Sequence, residues 1–222
     1  MFVLGLTGSI GMGKSETARM FRRLGVPVYD ADAAVHRLLA KGGEAVDQVE
    51  AAFPGVLRDG AIDRPALGAR VFADKSALRR LEAILHPLAG RAQRRFLARS
   101  ARRRVPLVVL DVPLLFETGG EARTDAIAVV SAPFRVQRQR VLGRPDMAEA
   151  KFHAILGQQV PDARKRQRAD FVIPTGLGRR LALNHVARIV TMLDGAAGHC
   201  WPARARPRPR PAEHPSRRAV HA

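Results

Sequence analysis

The chain holds one cysteine, one tryptophan and one tyrosine, and aromatic residues make up only 5% of its 222 positions. A lone thiol, Cys200, cannot close an internal disulfide, so the expectation is a packed core in a reducing compartment. So few aromatics offer no stacking platform of the kind single-strand nucleic-acid binders use. No run approaches the ~20 consecutive apolar residues of a membrane helix. The apolar run that starts at Phe2 has strand length and no basic segment before it, unlike a secretory leader. A soluble, cytoplasmic protein is expected. Lysine is scarce as well: only Lys14, Lys41, Lys75, Lys151 and Lys165 contribute to the 38 basic residues, so arginine carries the net charge of +18. Such a bias is as consistent with genome composition as with a polyanionic partner. The histidines, His36, His153 and His185 among them, have no metal-ligand spacing and read as surface or packing residues. No internal repeat is visible, and no Asn-Lys-x-Asp guanine motif either.

What is present is a phosphate-binding loop. Gly8-Ser9-Ile10-Gly11-Met12-Gly13-Lys14-Ser15 fits G-x-x-x-x-G-K-[ST] in full. It follows the strand-like run Phe2–Thr7 and precedes the helix-prone stretch Glu16–Leu24, the order the chemistry requires. Glycines let backbone N–H groups wrap a phosphate, Lys14 reaches the β- and γ-phosphates, and the Ser15 hydroxyl suits Mg²⁺. The chain is expected to bind a nucleoside triphosphate.

Apolar runs alternate with helical patterns, the mark of an α/β parallel sheet. Strands are expected near 2–7, 26–30, 106–112, 126–131 and 170–174. Helices are expected over 14–24, 32–40, 44–53, 64–72, 76–103, 134–143, 147–158, 161–168 and 178–194. Asp63, Ser131 and Asp146 stand where helix starts are marked. The interval between the second and third strands far exceeds one crossover and reads as a helical insertion. From Ala196 onward the chain turns to Pro-Arg alternation, which cannot bury a core and is expected to be disordered or polyproline-II-like. Trp201 to Ala222 carries six arginines and one glutamate, enough for weak, salt-sensitive polyanion binding.

Asp30 and Asp32 sit at the end of the second strand, at the carboxyl end where open α/β sheets bind ligands. Alternation along a strand would put both on one face, able to orient an acceptor hydroxyl; helix capping is the alternative. Arg140 and Arg144, four apart on a helix, share a face suited to clamping phosphate oxygens or simply to solvation. His86-Pro87 falls inside a long helix, as a hinge or a ligand contact. Asp111 ends an apolar strand where a carboxylate can support Mg²⁺, as can Glu117, directly or through water.

Together these pieces resemble the dephospho-CoA kinase family. The resemblance runs over about residues 3 to 194. It rests on Gly5-Leu6-Thr7 with the phosphate loop, Asp30-Ala31-Asp32, Arg64…Leu67…Arg70-Val71-Phe72 and His86-Pro87. Pro113-Leu114-Leu115-Phe116-Glu117, Gln137…Arg140…Arg144, Gln159…Lys165 and Ala169-Asp170…Ile173 complete it. It implies a P-loop kinase fold, with a five-stranded parallel sheet flanked by helices. It also implies a kinase domain over 1–195, with an acceptor-binding insertion near 32–104 and a lid near 144–168; the basic tail of 196–222 matches nothing in the family. The implied activity is ATP-dependent phosphorylation of the ribose 3′-hydroxyl of dephospho-CoA, with Mg²⁺. Asp32 would be the acid/base carboxylate and Lys14 a catalytic cation. Gly11, Met12, Gly13, Lys14, Ser15, Glu16, Arg140 and Arg144 would bind ATP, and Asp32, Arg64 and His86 the acceptor. Two departures stand out: Glu16 where the family has threonine, and Pro174-Thr175-Gly176 where it shows asparagine and glycine near the adenine. Glu16 is expected to point away from the phosphates. The competing readings are a kinase of another small hydroxyl acceptor, such as a nucleoside or nucleotide, and a nucleic-acid-dependent NTPase.

Overall fold

The computed structural model describes residues 1–71 and 74–202, so Phe72, Ala73 and the segment from Ala203 onward lie outside the described residues. Five strands form one parallel sheet: β1 (Phe2–Thr7), β2 (Val28–Asp30), β5 (Leu107–Asp111), β6 (Ala126–Ser131) and β7 (Phe171–Pro174). Their spatial order is β2-β5-β1-β6-β7, so β1 with its phosphate loop is central and the order reverses around it. That reversal opens a crevice at the carboxyl ends of the strands, where α/β sheets take ligands.

The continuous apolar runs are explained by burial on both faces. Leu4, Leu6, Val109, Ala128 and Val130 pack with Phe21 of α1 (Lys14–Arg23) and with Ala182, Val186 and Ile189 of α9 (Arg179–Leu193). Val3, Val108 and Leu110 point the other way, onto Ala34 of α2 (Ala31–Leu39) and Leu97 of α5 (Lys75–Arg102). Each such leucine or phenylalanine, fully removed from water, contributes ~1.5–3 kcal/mol. A separate cluster, including Leu38, Val49, Phe53, Ile62, Leu67 and Leu81, forms the core of the segment between β2 and β5. That segment also holds α3 (Val46–Ala52) and α4 (Arg64–Val71). Between β6 and β7 lie α6 (Phe134–Leu142), α7 (Glu149–Gly157) and α8 (Asp162–Gln167).

Several local expectations change. Leu57–Arg58 (β3) and Ala61–Ile62 (β4) form an antiparallel hairpin that the helical reading of this segment overlooked. Its turn residues have positive φ, 50° at Asp59 and 81° at Gly60, which is the hairpin chemistry of an Asp-Gly pair. Asp63 does cap its helix, accepting from Ala66 N at 3.0 Å. Asp146 does not: α7 starts after Ala148 with no side-chain cap. The Ser131 hydroxyl donates to Asp162 Oδ2 at 2.7 Å instead of capping α6. The helix α5 continues through Pro87 as one element, although Ala83 loses its N–H partner there.

Residues 196–202, expected to belong to the tail, pack onto the sheet end. Asp125 Oδ1 accepts from His199 N at 2.6 Å and Cys200 N at 2.7 Å, and Trp201 packs against the core of β1 and β5. A carboxylate with two backbone donors and an indole with an apolar wall hold this stretch, and the Pro-Arg pattern starts only beyond it.

Candidate active site

The phosphate loop is pinned from several sides. Gly11 and Gly13 sit at φ 76° and 91°, the left-handed region that glycine adopts without strain. A Cβ at Gly8 would run into Val130, so the loop can pass the β6 strand only with glycine there. Gln137 Nε2 donates to Ile10 O at 2.8 Å, while Ile10 N donates to Gln159 Oε1 at 3.1 Å. Thr175 Oγ1 donates to Met12 O at 2.6 Å and accepts from Arg140 Nη1 at 3.2 Å; Arg140 Nη2 also donates to Thr175 O at 2.7 Å. The departure at Thr175 therefore has a structural role: its hydroxyl ties the loop to the end of β7.

Lys14 Nζ lies 2.6 Å from Asp111 Oδ1. Strand register sets Asp30 level with Asp111, and Asp32 is near enough for its charge to be felt. Burial pushes the Asp111 carboxyl above the usual carboxylate range; Lys14 opposes this, and the Asp30 and Asp32 charges add to it.

Asp30 and Asp32 do not share a strand face. The strand β2 ends at Asp30, whose Oδ1 accepts from Ala33 N at 2.8 Å as the N-cap of α2. Asp32 stands in the first turn of that helix, exposed. The capping demand of α2 separates two carboxylates that alternation alone would have paired.

Two cavities meet at Asp32. One, of about 370 Å³, is lined by residues 8–16, Asp32, Arg140 and Arg144. The other, of about 1070 Å³, is bounded by Tyr29, Asp32, His86, Gln93, Arg123 and Gln158, among others. His86 is therefore on the larger cavity's wall. Arg64 is on neither wall; its Nη1 lies 3.3 Å from His36 Nδ1 on the exposed side of α2. Arg144 stands beyond the end of α6 at Leu142, so it shares the phosphate-loop cavity with Arg140 without sharing a helix face. A third hollow, of about 310 Å³, lies between α1 and α9, lined by Gly13, Met20, Arg140, Thr175, Arg179 and Ala182. Glu16 borders it too, with Oε2 2.9 Å from Arg19 Nη2 and Oε1 3.8 Å from Arg179 Nε, its charge matched by arginines.

Glu117 is committed elsewhere. Its Oε1 accepts from Val160 N at 2.9 Å and lies 2.8 Å from Nζ of the fully buried Lys165. Among the described residues Lys165 Nζ has no other hydrogen-bond partner, so Glu117 is its counter-charge. Burial pushes Glu117 up, but Lys165 and the Val160 N–H outweigh it and hold the carboxyl below its ordinary value. This ties the Pro-Leu-Leu-Phe-Glu turn to the α7–α8 segment.

The dephospho-CoA kinase (CoaE) family model matches residues 2–177. The chain belongs to the dephospho-CoA kinase family. The dephospho-CoA kinase of Paramagnetospirillum magneticum is 62% identical over 196 residues, covering 88% of this chain and 92% of that one. That of Mesorhizobium japonicum is 57% identical over 198 residues, covering 89% and 100%. Among solved structures, TT1252 from Thermus thermophilus aligns with a TM-score of 0.75 at 34% identity, over 89% of this chain and 98% of that one. Dephospho-CoA kinase from Campylobacter jejuni shares the fold, with a TM-score of 0.61 at 21% identity over 87% and 97%. Within this family frame, the Lys14–Asp111 contact and the Thr175 hydroxyl were not anticipated from the sequence. Asp111 was visible as a strand-end carboxylate, but only the parallel pairing of β1 with β5 brings it beside Lys14.

Proposed function

We propose that this protein transfers the γ-phosphoryl group of ATP to the ribose 3′-hydroxyl of dephospho-CoA, completing coenzyme A. The single observation that carries the reading onto these residues is the position of Asp32, on the wall common to the phosphate-loop cavity and the larger one. A hydroxyl presented from the large cavity meets Asp32 next to the phosphate loop. The Asp32 carboxylate accepts the hydroxyl proton as the acceptor oxygen bonds to the γ-phosphorus and the bond to the β–γ bridging oxygen breaks, releasing ADP. Lys14 leaves Asp111 for the phosphates and neutralises charge on the transferring group. Arg140 and Arg144 face the same phosphates. The adenine fits the hollow between α1 and α9, where Met20 and Ala182 give apolar surface.

Among the described residues no three His, Cys, Asp or Glu side chains form a metal-binding group. A Mg²⁺ ion bound with ATP would find the Ser15 hydroxyl, on the phosphate-loop cavity wall, as its protein ligand. When bound, the ion neutralises charge on the β- and γ-oxygens. The larger cavity, at about 1070 Å³, exceeds the space a nucleoside needs and suits an acceptor with a long arm. His86 borders it as an acceptor contact, and Arg64, off its wall, is at most an outer one. No helix of the described residues is long and apolar enough to cross a membrane.

The test is product analysis after incubation with ATP, Mg²⁺ and dephospho-CoA, beside a panel of nucleosides and nucleic acids. Coenzyme A as the product supports the reading. Phosphorylation of a nucleoside alone, or ATP hydrolysis stimulated by nucleic acid with dephospho-CoA inert, overturns it.

A further inference from the structure

Four residues border both the phosphate-loop cavity and the large one: Asp32, Pro113, Ile155 and Gln159. Asp32 is assigned to the chemistry, and Pro113 and Ile155 bring no polar side chain. Gln159 is therefore the remaining polar side chain on the shared wall. It is also bonded to the loop itself, since its Oε1 accepts from Ile10 N at 3.1 Å. Phosphate loops generally offer their backbone N–H groups to the ligand, so an N–H held by a protein amide instead is a structural commitment. The rest of that peptide unit's surroundings are rigid: Ile10 O is held by the buried Gln137. On the other side, Val160, next in sequence to Gln159, is anchored by Glu117. Because Ile10 N–H can only donate, Oε1 must face it, and the Nε2 end with its two donors is left for groups in the cavity.

We propose that Gln159 is a positioning residue that couples occupancy of the large cavity to the shape of the phosphate loop. The inference rests on the functional reading above. An acceptor that takes a hydrogen bond from Gln159 Nε2 fixes the amide with Oε1 on Ile10 N–H, holding the loop as transfer requires. Without the acceptor the amide keeps its bond to Ile10 N–H but is held from that side alone, so water competes for the N–H more readily. Coupling of this kind is reciprocal: acceptor tightens nucleotide binding by the same factor as nucleotide tightens acceptor binding.

The experiment measures the affinity of a non-hydrolysable ATP analogue with and without saturating dephospho-CoA, alongside steady-state kinetics. It uses the wild type, Gln159→Met (similar length, no acceptor oxygen) and Gln159→Glu (acceptor oxygen kept). In the wild type, dephospho-CoA is expected to tighten nucleotide binding at least about fivefold, the lower end of ordinary coupling. Gln159→Met is expected to bring that ratio near one, with nucleotide affinity alone changed less than about threefold and kcat lowered on the order of tenfold. Gln159→Glu keeps an oxygen for Ile10 N–H but loses the Nε2 donor, so it too is expected to bring the ratio near one. Where Gln159→Met does not fold, Gln159→Asn, too short to reach Ile10, takes its place. A wild-type ratio of one, or a wild-type ratio retained in Gln159→Met, overturns the coupling role while coenzyme A production continues. A wild type that makes no coenzyme A overturns the functional reading instead.

Discussion

Lys14 Nζ and Asp111 Oδ1 are 2.6 Å apart, joining the first residue of α1 to the last residue of β5. The pair holds the lysine beside the phosphate loop, with its charge matched by a buried carboxylate. Lys14→Ala is expected to lower kcat by about 10²-fold or more, because it removes a charge that acts mainly in the transition state. Steady-state kinetics and circular dichroism check this together; a folded variant within about threefold of wild type would contradict the role.

Asp111 itself sets a dependence on pH. Its folded-state value is raised by burial, despite Lys14. A raised carboxyl contributes stability that is complete below its unfolded value and is lost as pH rises through the folded one. Asp111→Asn lacks this titration. Thermal unfolding at a series of pH values is expected to show wild type losing Tm relative to Asp111→Asn as pH rises from below the ordinary carboxylate value through the raised one. A constant difference would show that Asp111 does not titrate as described.

Asp30 and Asp32 are expected to fail differently. Asp32→Asn lowers kcat by about 10²–10⁴-fold, the scale of a general base, with a smaller change in KM for ATP. Asp30 caps α2 through Ala33 N, so Asp30→Ala costs ~1 kcal/mol of stability, and Asp30→Asn, still a good cap, costs little of either. An inactive Asp30→Asn beside a nearly normal Asp32→Asn would reverse the assignment.

Arg140 and Arg144 are expected to act on the ATP side. Arg144→Ala raises KM for ATP, and Arg144→Lys restores it only in part, because the ammonium lacks the planar fork. Arg140→Lys is expected to do worse, since two guanidinium nitrogens reach Thr175. Kinetics in which only the dephospho-CoA parameters change would move both arginines to the acceptor site.

The Glu117–Lys165 pair predicts stability rather than chemistry. Glu117→Gln leaves the buried ammonium without its counter-charge and is expected to cost about 3 kcal/mol. The depressed Glu117 value gives a contribution present above the unfolded carboxyl value and lost as pH falls through the folded one. Chemical denaturation at neutral and acid pH tests both, with the gap between wild type and variant narrowing in acid.

Truncation separates the two parts of the C-terminal region. Ending the chain at Pro202 is expected to leave turnover close to wild type, because all proposed site residues precede it. Ending it at Gly195 also removes Trp201 and the two N–H groups on Asp125, and is expected to lower Tm. Any polyanion binding should disappear with residues 203–222 and weaken steeply with salt in the full chain. Equal Tm values for the two truncations would deny the contacts of residues 196–202 a stabilising role.

Local signals are enough to decide the parallel α/β architecture, the phosphate loop and the family. Continuous apolar strands, glycines at fixed offsets and the Lys-Ser pair each act over a few residues, and so they can be read directly from the chain. Asp59-Gly60 was equally local and marked a hairpin, though the helical pattern around it dominated. The tertiary structure decided what depends on distant residues meeting. Alternation assigned Asp30 and Asp32 to one strand face, but the cap requirement of α2 ended the strand between them. The sequence left the role of Glu117 open, with support of Mg²⁺ as one possibility, and the fold buries Lys165 against it. Asp111 meets Lys14, and Thr175 meets Met12, only because parallel pairing brings the ends of β5 and β7 to the loop after β1. Charge, capping and burial compete at those junctions, and which wins depends on neighbours more than a hundred residues away for Thr175 and Met12.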